Sequence, residues 1–332
     1  MKLLVSREGR VAIEDIDEPI IQSNFVLVET LYSAISPGTE LILQAKPGAI
    51  PLGYSAMGVV RAVGDGVDHV RIGDRVACYG APYVRHAQKL AVPKHLCVPI
   101  GDSVASQEAS LVGLGAIAIH ALRQADLQFG ETVAVIGLGV LGQLIGQIAE
   151  AAGYRVGAVD VLSTRCEAMR AGGVESVYES FAELERAMAV GELGLHGFDA
   201  VLLCAGGSNP GIIDKAIGWL RDRGKVVVVG DIATTFNRNE MFAKEIQVLI
   251  SRAGGAGRYD LNYEREGVDY PIGYVRWTEG RNMAEFIRLL ANGKLNMSPL
   301  IRHELPFDRA EELYELYRHS PGEMLGAVLS YA

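Results

Sequence analysis

The chain lacks the features that mark several large protein classes. It has no run of lysines and arginines, and its formal charge is −9, so neither a nucleic-acid backbone nor an anionic membrane surface is an expected partner. Its 4 cysteines, Cys78, Cys97, Cys166 and Cys204, are spread along the sequence with no Cys-x-x-Cys pair. That spacing excludes a cysteine-built zinc lobe, offers no disulfide framework, and fits reduced thiols in a cytoplasmic protein. No apolar stretch approaches the roughly 20 residues that span a bilayer. The opening Met1-Lys2-Leu3-Leu4-Val5-Ser6-Arg7-Glu8 reaches charge too early for a secretory signal peptide. Internal repeats and low-complexity tracts are missing as well. What remains is an ordinary globular composition, 49% apolar and 21% charged over 332 residues, long enough for two domains.

The strongest pattern lies at residues 132–160. Val133-Ala134-Val135-Ile136 is a short, continuously apolar run, as expected of a strand buried on both faces. Gly137, Gly139 and Gly142 follow with GxGxxG spacing, and Val140 and Leu141 lie inside the motif. Leu141, Leu144, Ile145, Ile148 and Ala149 then repeat on one helical face, and Gly153 closes the helix. Arg155 to Val159 reads as a second buried strand ending on Asp160.

Each part meets a need of a bound dinucleotide. Gly137 permits the tight turn, Gly139 clears the approach of a pyrophosphate, and Gly142 lets helix and strand pack closely. Free N–H groups at the helix start attract the phosphates. Asp160 accepts hydrogen bonds from the adenosine ribose and repels a 2′-phosphate, so the expected cofactor is NAD. Arg165 begins the next helix and is expected against adenine or ribose; only contact with a 2′-phosphate would turn it towards NADP. Ala205, Gly206 and Gly230 follow later strand ends, where open α/β sheets bind ligands, and are expected to line the cofactor.

Around this unit the pattern alternates. Residues 165–171, 181–189 and 210–220 read as helices, and 198–204, 225–229 and 246–251 as strands. Together they predict an α/β, doubly wound parallel Rossmann sheet over 111–252. Residues 1–110 offer short strands, at 11–16, 25–33, 73–77 and 87–92, punctuated by Gly and Pro, which predicts a small, partly open barrel. Ser36-Pro37-Gly38 reads there as a turn. A helix at 106–125 leads into the nucleotide domain. Residues 252–282 read as irregular, and 253–332, with a helix at 283–291, as a return to the β-rich domain.

Pro37-Gly38-Thr39-Glu40, Gly53 to Gly64, Gly73-Asp74-Arg75-Val76, His120-Ala121, the Gly137 fingerprint and Gly293-Lys294-Leu295 occur in one order. In that order they resemble the medium-chain dehydrogenase/reductase superfamily along nearly the whole chain. The resemblance implies a GroES-like first domain and hydride transfer with NAD. It also exposes departures. Zinc members carry Cys-Gly-Thr-Asp where this chain has Pro37-Gly38-Thr39-Glu40, and Gly-His-Glu where it has Gly53-Tyr54-Ser55. Their third ligand falls on Gly113, and the short link Ala77 to His86 stands in place of their four-cysteine lobe. Neither a catalytic nor a structural zinc is expected. The long stretch from Arg258 to Asn282 is similar to the dehydrogenase half of bi-domain oxidoreductases associated with surface-polysaccharide genes. Zinc-free features are shared with the bacteriochlorophyllide dehydrogenase branch.

Without zinc, another group must meet the reacting oxygen, or the substrate must need less help. Thr39 matches the superfamily hydroxyl that bonds this oxygen; its alternative is a local turn bond. Tyr54, at a former ligand position, either donates to a carbonyl or fills the space left by zinc. It would deliver a proton if a neighbour lowered its pKa from about 10. Glu40 orients Tyr54, acts as base, or caps a turn. The relay histidine of alcohol dehydrogenases falls on Ile42, so that proton route is missing. His86 lines the substrate cleft or meets solvent, and His120 reads as a packing residue. Arg276, Trp277, Glu279 and Arg281 offer an aromatic platform and charges for a polyol or phosphate, or else an oligomer contact.

The expected activity is zinc-independent, NAD(H)-dependent hydride transfer to or from a secondary alcohol or ketone of a polar, sugar-like substrate held between the domains. A quinone or enone reductase is one alternative, and a non-catalytic NAD(H)-binding protein another. The expected partners are a small-molecule substrate and a second copy of the chain in a homodimer.

Overall fold

Thr132–Ile136, buried along its whole length, is a central strand of a six-stranded parallel sheet. The computed structural model describes residues 1–193, 196–207, 210–322 and 324–331. The sheet runs in the order Val177–Tyr178, Arg155–Val159, Thr132–Ile136, Phe198–Leu203, Leu220–Val228, Gln247–Ile250. Counted along the chain this is 3-2-1-4-5-6, the doubly wound order whose reversal beside the first strand opens a ligand crevice at the strand ends. The apolar runs 133–136, 156–159, 200–203 and 226–228 are buried, as in a parallel sheet covered on both faces, while both ends of the edge strand Gln247–Ile250 are exposed. On one face Ala134, Ile136, Phe198, Val201 and Val226 pack with Ile213, Ile217 and Trp219.

Two elements escaped the sequence pattern, Val177–Tyr178 and the helix Arg238–Lys244. The strand is too short to show alternation, and the helix buries no residue, so it carries no apolar stripe. The strand expected from residue 225 begins at Leu220 instead; a register break between Phe198 and Ala200 accommodates the longer partner.

The other unit is β-rich. Lys2–Arg7, which showed no clear signal, lies between Arg10–Asp15 and Ala49–Pro51 in a three-stranded antiparallel sheet. A seven-stranded sheet is built about Phe25–Ala34, which pairs with Ser55–Val63, Lys89–Pro93 and Gly326–Ser330. Two register shifts along Phe25–Ala34 bend it, as barrel-like sheets require. Ile301–Pro306 and Gly326–Ser330 pair in parallel. The helix Ala310–His319 between them buries Leu313, Tyr314 and Tyr317 against Leu4, Ile35 and Leu52.

Several boundaries differ from expectation for identifiable reasons. Ser36-Pro37-Gly38 is no turn: it opens the helix Pro37–Gln44, with proline in the first turn, where its missing N–H costs nothing. The helix expected at 106–125 is broken into Ser106–Ala109 and Val112–Ala125. The Ser55 hydroxyl donates to the Ser110 carbonyl at this break and accepts from Gly113 N–H. Residues 252–282 contain a short helix, Leu261–Glu264, and the next helix starts at Glu279, capped by Thr278, four residues before its expected start.

The chain divides into one unit of Met1–Ala116, Gly254–Gly293 and Ile301–Ala332 and another of Ile117–Ala253 and Lys294–Leu300. The boundary therefore falls inside the helix Val112–Ala125 and not at residue 110. Lys294–Leu300 belongs with the parallel sheet because Gln147 bonds the backbone of Asn296 through both its amide groups, at 3.1 and 2.8 Å. Among the described residues no helix is long and apolar enough to cross a membrane.

Candidate active site

The glycine-rich loop is built by close approach. Gly137 has φ +94°, and a Cβ there would stand 2.6 Å from the Ala205 nitrogen. At Gly142 a Cβ would stand 1.9 Å from the Gly137 oxygen. Gly139 differs: nothing lies within 4 Å of its missing Cβ, so the start of the helix Val140–Ala151 faces open space. That opening, lined by free N–H groups, fits a pyrophosphate. Val140 is buried and Leu141 partly so, in the first turn. Ala205 and Gly230 continue the floor, since a Cβ on Gly230 would meet the Ala205 oxygen at 2.1 Å; Gly206 is exposed beside them.

Asp160 stands at the end of Arg155–Val159 and is only 7% exposed. Its Oδ2 accepts from Leu138 N–H at 2.7 Å and its Oδ1 from Leu162 N–H at 3.0 Å, while Arg165 Nη1 stands 3.4 Å from Oδ2. The carboxylate thus fixes the loop. Gln143 joins the loop to the next helix, its Nε2 donating to the carbonyls of Leu138 and Arg165. Sequence reasoning missed this role, because a glutamine inside a helix carries no pattern of its own. The unit therefore fits a dinucleotide.

Zinc does not fit the β-rich unit. Pro37 offers no donor atom, and Tyr54 directs its hydroxyl to Ser36 Oγ at 2.7 Å. A side chain at Gly113 would start 2.5 Å from Tyr79 Cδ2 and 3.0 Å from Ser55 Oγ, so the third ligand position is filled by neighbours. Among the described residues, no group of three or more His, Cys, Asp or Glu is placed to hold a metal ion.

The expected catalytic residues separate into two sets. Thr39 is exposed in the first turn of Pro37–Gln44 and lies within reach of the Tyr54 hydroxyl. Burial holds that hydroxyl well above the ordinary tyrosine range, while its bond to Ser36 pulls it back only in part. Tyr54 is therefore a neutral donor at pH 7 and no neighbour activates it as an acid, contrary to one expectation. Ser36, which receives its bond, was not singled out from the sequence.

Glu40 and His86 belong to the interior. Glu40 is fully buried; it accepts from Ser36 N–H at 2.7 Å, from His86 Nε2 at 3.1 Å, and from the Tyr314 hydroxyl. His86 is fully buried too, and its Nδ1 meets Ser33 Oγ at 2.7 Å, which in turn meets the Tyr331 hydroxyl at 2.8 Å. Every member is satisfied when His86 donates from Nε2 and accepts at Nδ1, a tautomer assigned from its partners. Glu40 therefore ties down the helix start and is no base, and His86 lines neither a cleft nor the surface. The buried pair holds the Thr39 turn against the strands behind it.

The polar stretch after residue 252 also sorts differently from expectation. Glu279, expected to bind substrate, is fully buried. Neither of its oxygens has a hydrogen-bond partner, and Arg258 Nε stands 3.8 Å away. Burial pushes its carboxyl up to about 9, with Arg258 opposing and Glu264 adding to the rise. Arg276 is exposed and stacks on its neighbour Trp277 at 3.9 Å. Arg281 pins the segment by bonding Val275 O at 2.5 Å and Asp269 at 2.6 Å. His120 is part-buried beside Gln124, and burial lowers its pKa.

The residues that do gather near Tyr54 are Tyr79, Arg258 and Tyr259. Tyr54 and Tyr79 meet edge to face at 5.8 Å. Arg258 lies 5.7 Å from the Tyr79 ring and 4.1 Å from that of Tyr259. It also pairs with Glu264 and bonds the Ala81 carbonyl. The available signal was the Arg-Tyr dipeptide at the head of a long polar insertion, which gave no hint of its distant partners.

Residues 22–126 match the alcohol dehydrogenase GroES-like domain, and residues 140–265 match the zinc-binding dehydrogenase domain. Sorbitol dehydrogenase 1 of Saccharomyces cerevisiae is 25% identical over 84% of this chain and 81% of its own length. The alcohol dehydrogenase of Thermus sp. ATN1 superposes with a TM-score of 0.79 at 23% identity, covering all of both chains. A short chain alcohol dehydrogenase of Escherichia coli CFT073, solved with its cofactor NADH, superposes with a TM-score of 0.80 at 18% identity over 99% of each. With a doubly wound sheet, a GroES-like unit and both matching domains in order, the chain belongs to the zinc-type alcohol dehydrogenase, or medium-chain dehydrogenase/reductase, superfamily of oxidoreductases.

Proposed function

We propose that this protein is a zinc-independent, NAD(H)-dependent oxidoreductase acting on a secondary alcohol or ketone of a polar, polyol-like substrate. The observation that carries the reading is the occupation of the zinc position: Pro37, Tyr54 and Gly113 supply no ligand set, and the Tyr79 ring takes the remaining space. The similarity to sorbitol dehydrogenase supports the polyol class.

Bound NAD supplies the hydride acceptor. Its pyrophosphate would rest at Gly139 and its ribose would donate to Asp160, whose charge disfavours a 2′-phosphate. On the β-rich unit, Tyr54 acts as a neutral donor to the reacting oxygen. Its hydroxyl hydrogen turns from Ser36 Oγ to the substrate as negative charge develops there. Thr39, exposed beside it, gives the same oxygen a second hydroxyl and a path for the proton to water. Glu40, His86 and Tyr314 hold the turn that carries Thr39.

The test combines metal analysis with one variant. Purified enzyme should hold no stoichiometric zinc, and a chelator should leave polyol oxidation with NAD unchanged. Tyr54→Phe should lower kcat about 10- to 100-fold, the range expected for one lost oxyanion donor, with NADH affinity intact. Stoichiometric zinc, or activity lost to the chelator, would overturn the reading. An unchanged kcat in Tyr54→Phe would favour an enone or quinone substrate, whose conjugation spreads the charge.

A further inference from the structure

Residues 258–264 form a rigid mount for one exposed ring. Tyr259 has φ +68°, the left-handed region that a bulky side chain enters only at a cost of about 1–3 kcal/mol. Its backbone N–H is held at 2.9 Å by Glu264 Oε1, the same carboxylate that pairs with Arg258. The side chains of Arg258 and Glu264 are 5% and 3% exposed, so this support is buried. The Arg258 guanidinium lies under the Tyr259 ring at 4.1 Å. Three separate devices, a strained backbone, a buried ion pair and a cation–π contact, fix the orientation of a residue that is still 54% exposed.

Such a mount does little for the core. A glycine would suit φ +68° without strain, and the ring itself is more than half exposed. The location of the ring is more telling. The same Arg258 guanidinium lies 5.7 Å from the Tyr79 ring, which meets the Tyr54 ring edge to face at 5.8 Å, so Arg258 bridges Tyr259 to the pair. Tyr54 is in turn within reach of Thr39. A half-exposed aromatic ring therefore lies on the same side of the β-rich unit as the hydroxyls of Tyr54 and Thr39, with Tyr79 buried between. That combination suits a hydroxylated carbon chain, whose C–H groups lie against an aromatic face while its hydroxyls exchange hydrogen bonds with those of the protein.

We propose that Tyr259 is a substrate-contacting, specificity-determining residue that holds the polyol chain beside Tyr54 and Thr39. The assignment rests on the polyol-oxidoreductase reading, and its experiment separates the two. Wild type, Tyr259→Phe and Tyr259→Gly are compared with sorbitol and with 2-propanol as substrates. Tyr259→Gly should raise KM for sorbitol about tenfold or more and leave KM for 2-propanol and the NADH Kd unchanged. Its melting temperature should stay level or rise, because glycine relieves the strain; Tyr259→Phe should raise KM for sorbitol by less. An unchanged sorbitol KM in Tyr259→Gly overturns the assignment, as does a change confined to oligomeric mass, which would make the ring a contact between copies. If the wild type oxidises neither alcohol, the functional reading fails, and binding decides the rest. With 3-fluorotyrosine placed at 259, a saturable 19F shift on titration with sorbitol in the presence of NADH supports the contact. A resonance that does not move overturns it.

Discussion

Glu279 illustrates how a side chain chosen for its charge can end without one. It is buried beside Arg258 and Glu264, and its carboxyl is pushed up to about 9, so it is protonated at pH 7. In the unfolded chain the same group releases its proton near the ordinary value of 4.5. Folding therefore takes up a proton between those two values. The stability from this site is complete below the unfolded pKa and declines as pH rises towards the folded one. One proton corresponds to about 1.4 kcal/mol per pH unit in the middle of the window. Glu279→Gln keeps the shape and removes the titration. Chemical denaturation at about pH 6 and about pH 8 should show a fall in wild-type stability that is much reduced in the variant. Equal falls would mean that Glu279 is ionised in the folded state.

At the scale of elements, the glycine loop shows that three similar residues can have separable duties. Gly142 is needed for packing, because a Cβ there would press on the Gly137 oxygen. Gly139 has open space and an ordinary φ of −64°, so an added methyl disturbs nothing within the protein itself. Gly139→Ala should remain within about 1 kcal/mol of wild-type stability yet lose NADH affinity about tenfold or more. Gly142→Ala should instead lose about 1–3 kcal/mol of stability and bind poorly for that reason. Fluorescence titration and thermal melts on the same samples distinguish these outcomes. Full NADH affinity in Gly139→Ala would remove the pyrophosphate from that opening. The helix Pro37–Gln44 has the same character on the β-rich unit: its exposed Thr39 depends on the buried Glu40, His86 and Tyr314 behind it.

For the whole molecule, the cofactor is the natural probe. A ligand that binds only the folded state stabilises it by about 2.7 kcal/mol at one hundred times its Kd. NADH at equal concentration should raise the melting temperature more than NADPH, because the Asp160 carboxylate is poorly matched to a 2′-phosphate. Arg165, 3.4 Å from that carboxylate, is the counterweight. A larger shift with NADPH would assign Arg165 to the phosphate and remove Asp160 from ribose selection.

The parallel-sheet half of the fold was legible because its pattern is local. Apolar runs, glycine spacing and the acidic residue after the second strand all lie within residues 132–160, where backbone geometry alone relates them. The residues at the positions where the resemblance puts zinc ligands are read in the same way: neither Pro37 nor Gly113 carries a side-chain donor atom in any fold. Tertiary structure decided which polar side chains remain exposed and what each one meets. Glu40 and His86 are 46 residues apart in sequence and share a buried hydrogen bond. Cys78 and Cys97 face each other across paired strands as free buried thiols. Tyr79 fills the space beside Gly113, and Arg258 reaches back to Ala81 and outward to Tyr259. None of these pairings leaves a periodic trace, because each is set by sheet register and by the path of a long insertion. Residue type told what Tyr54, Glu40, His86 and Glu279 can do; burial, which depends on every element packed around them, determined that Glu40, His86 and Glu279 are enclosed and that Tyr54 is the one of the four left partly exposed.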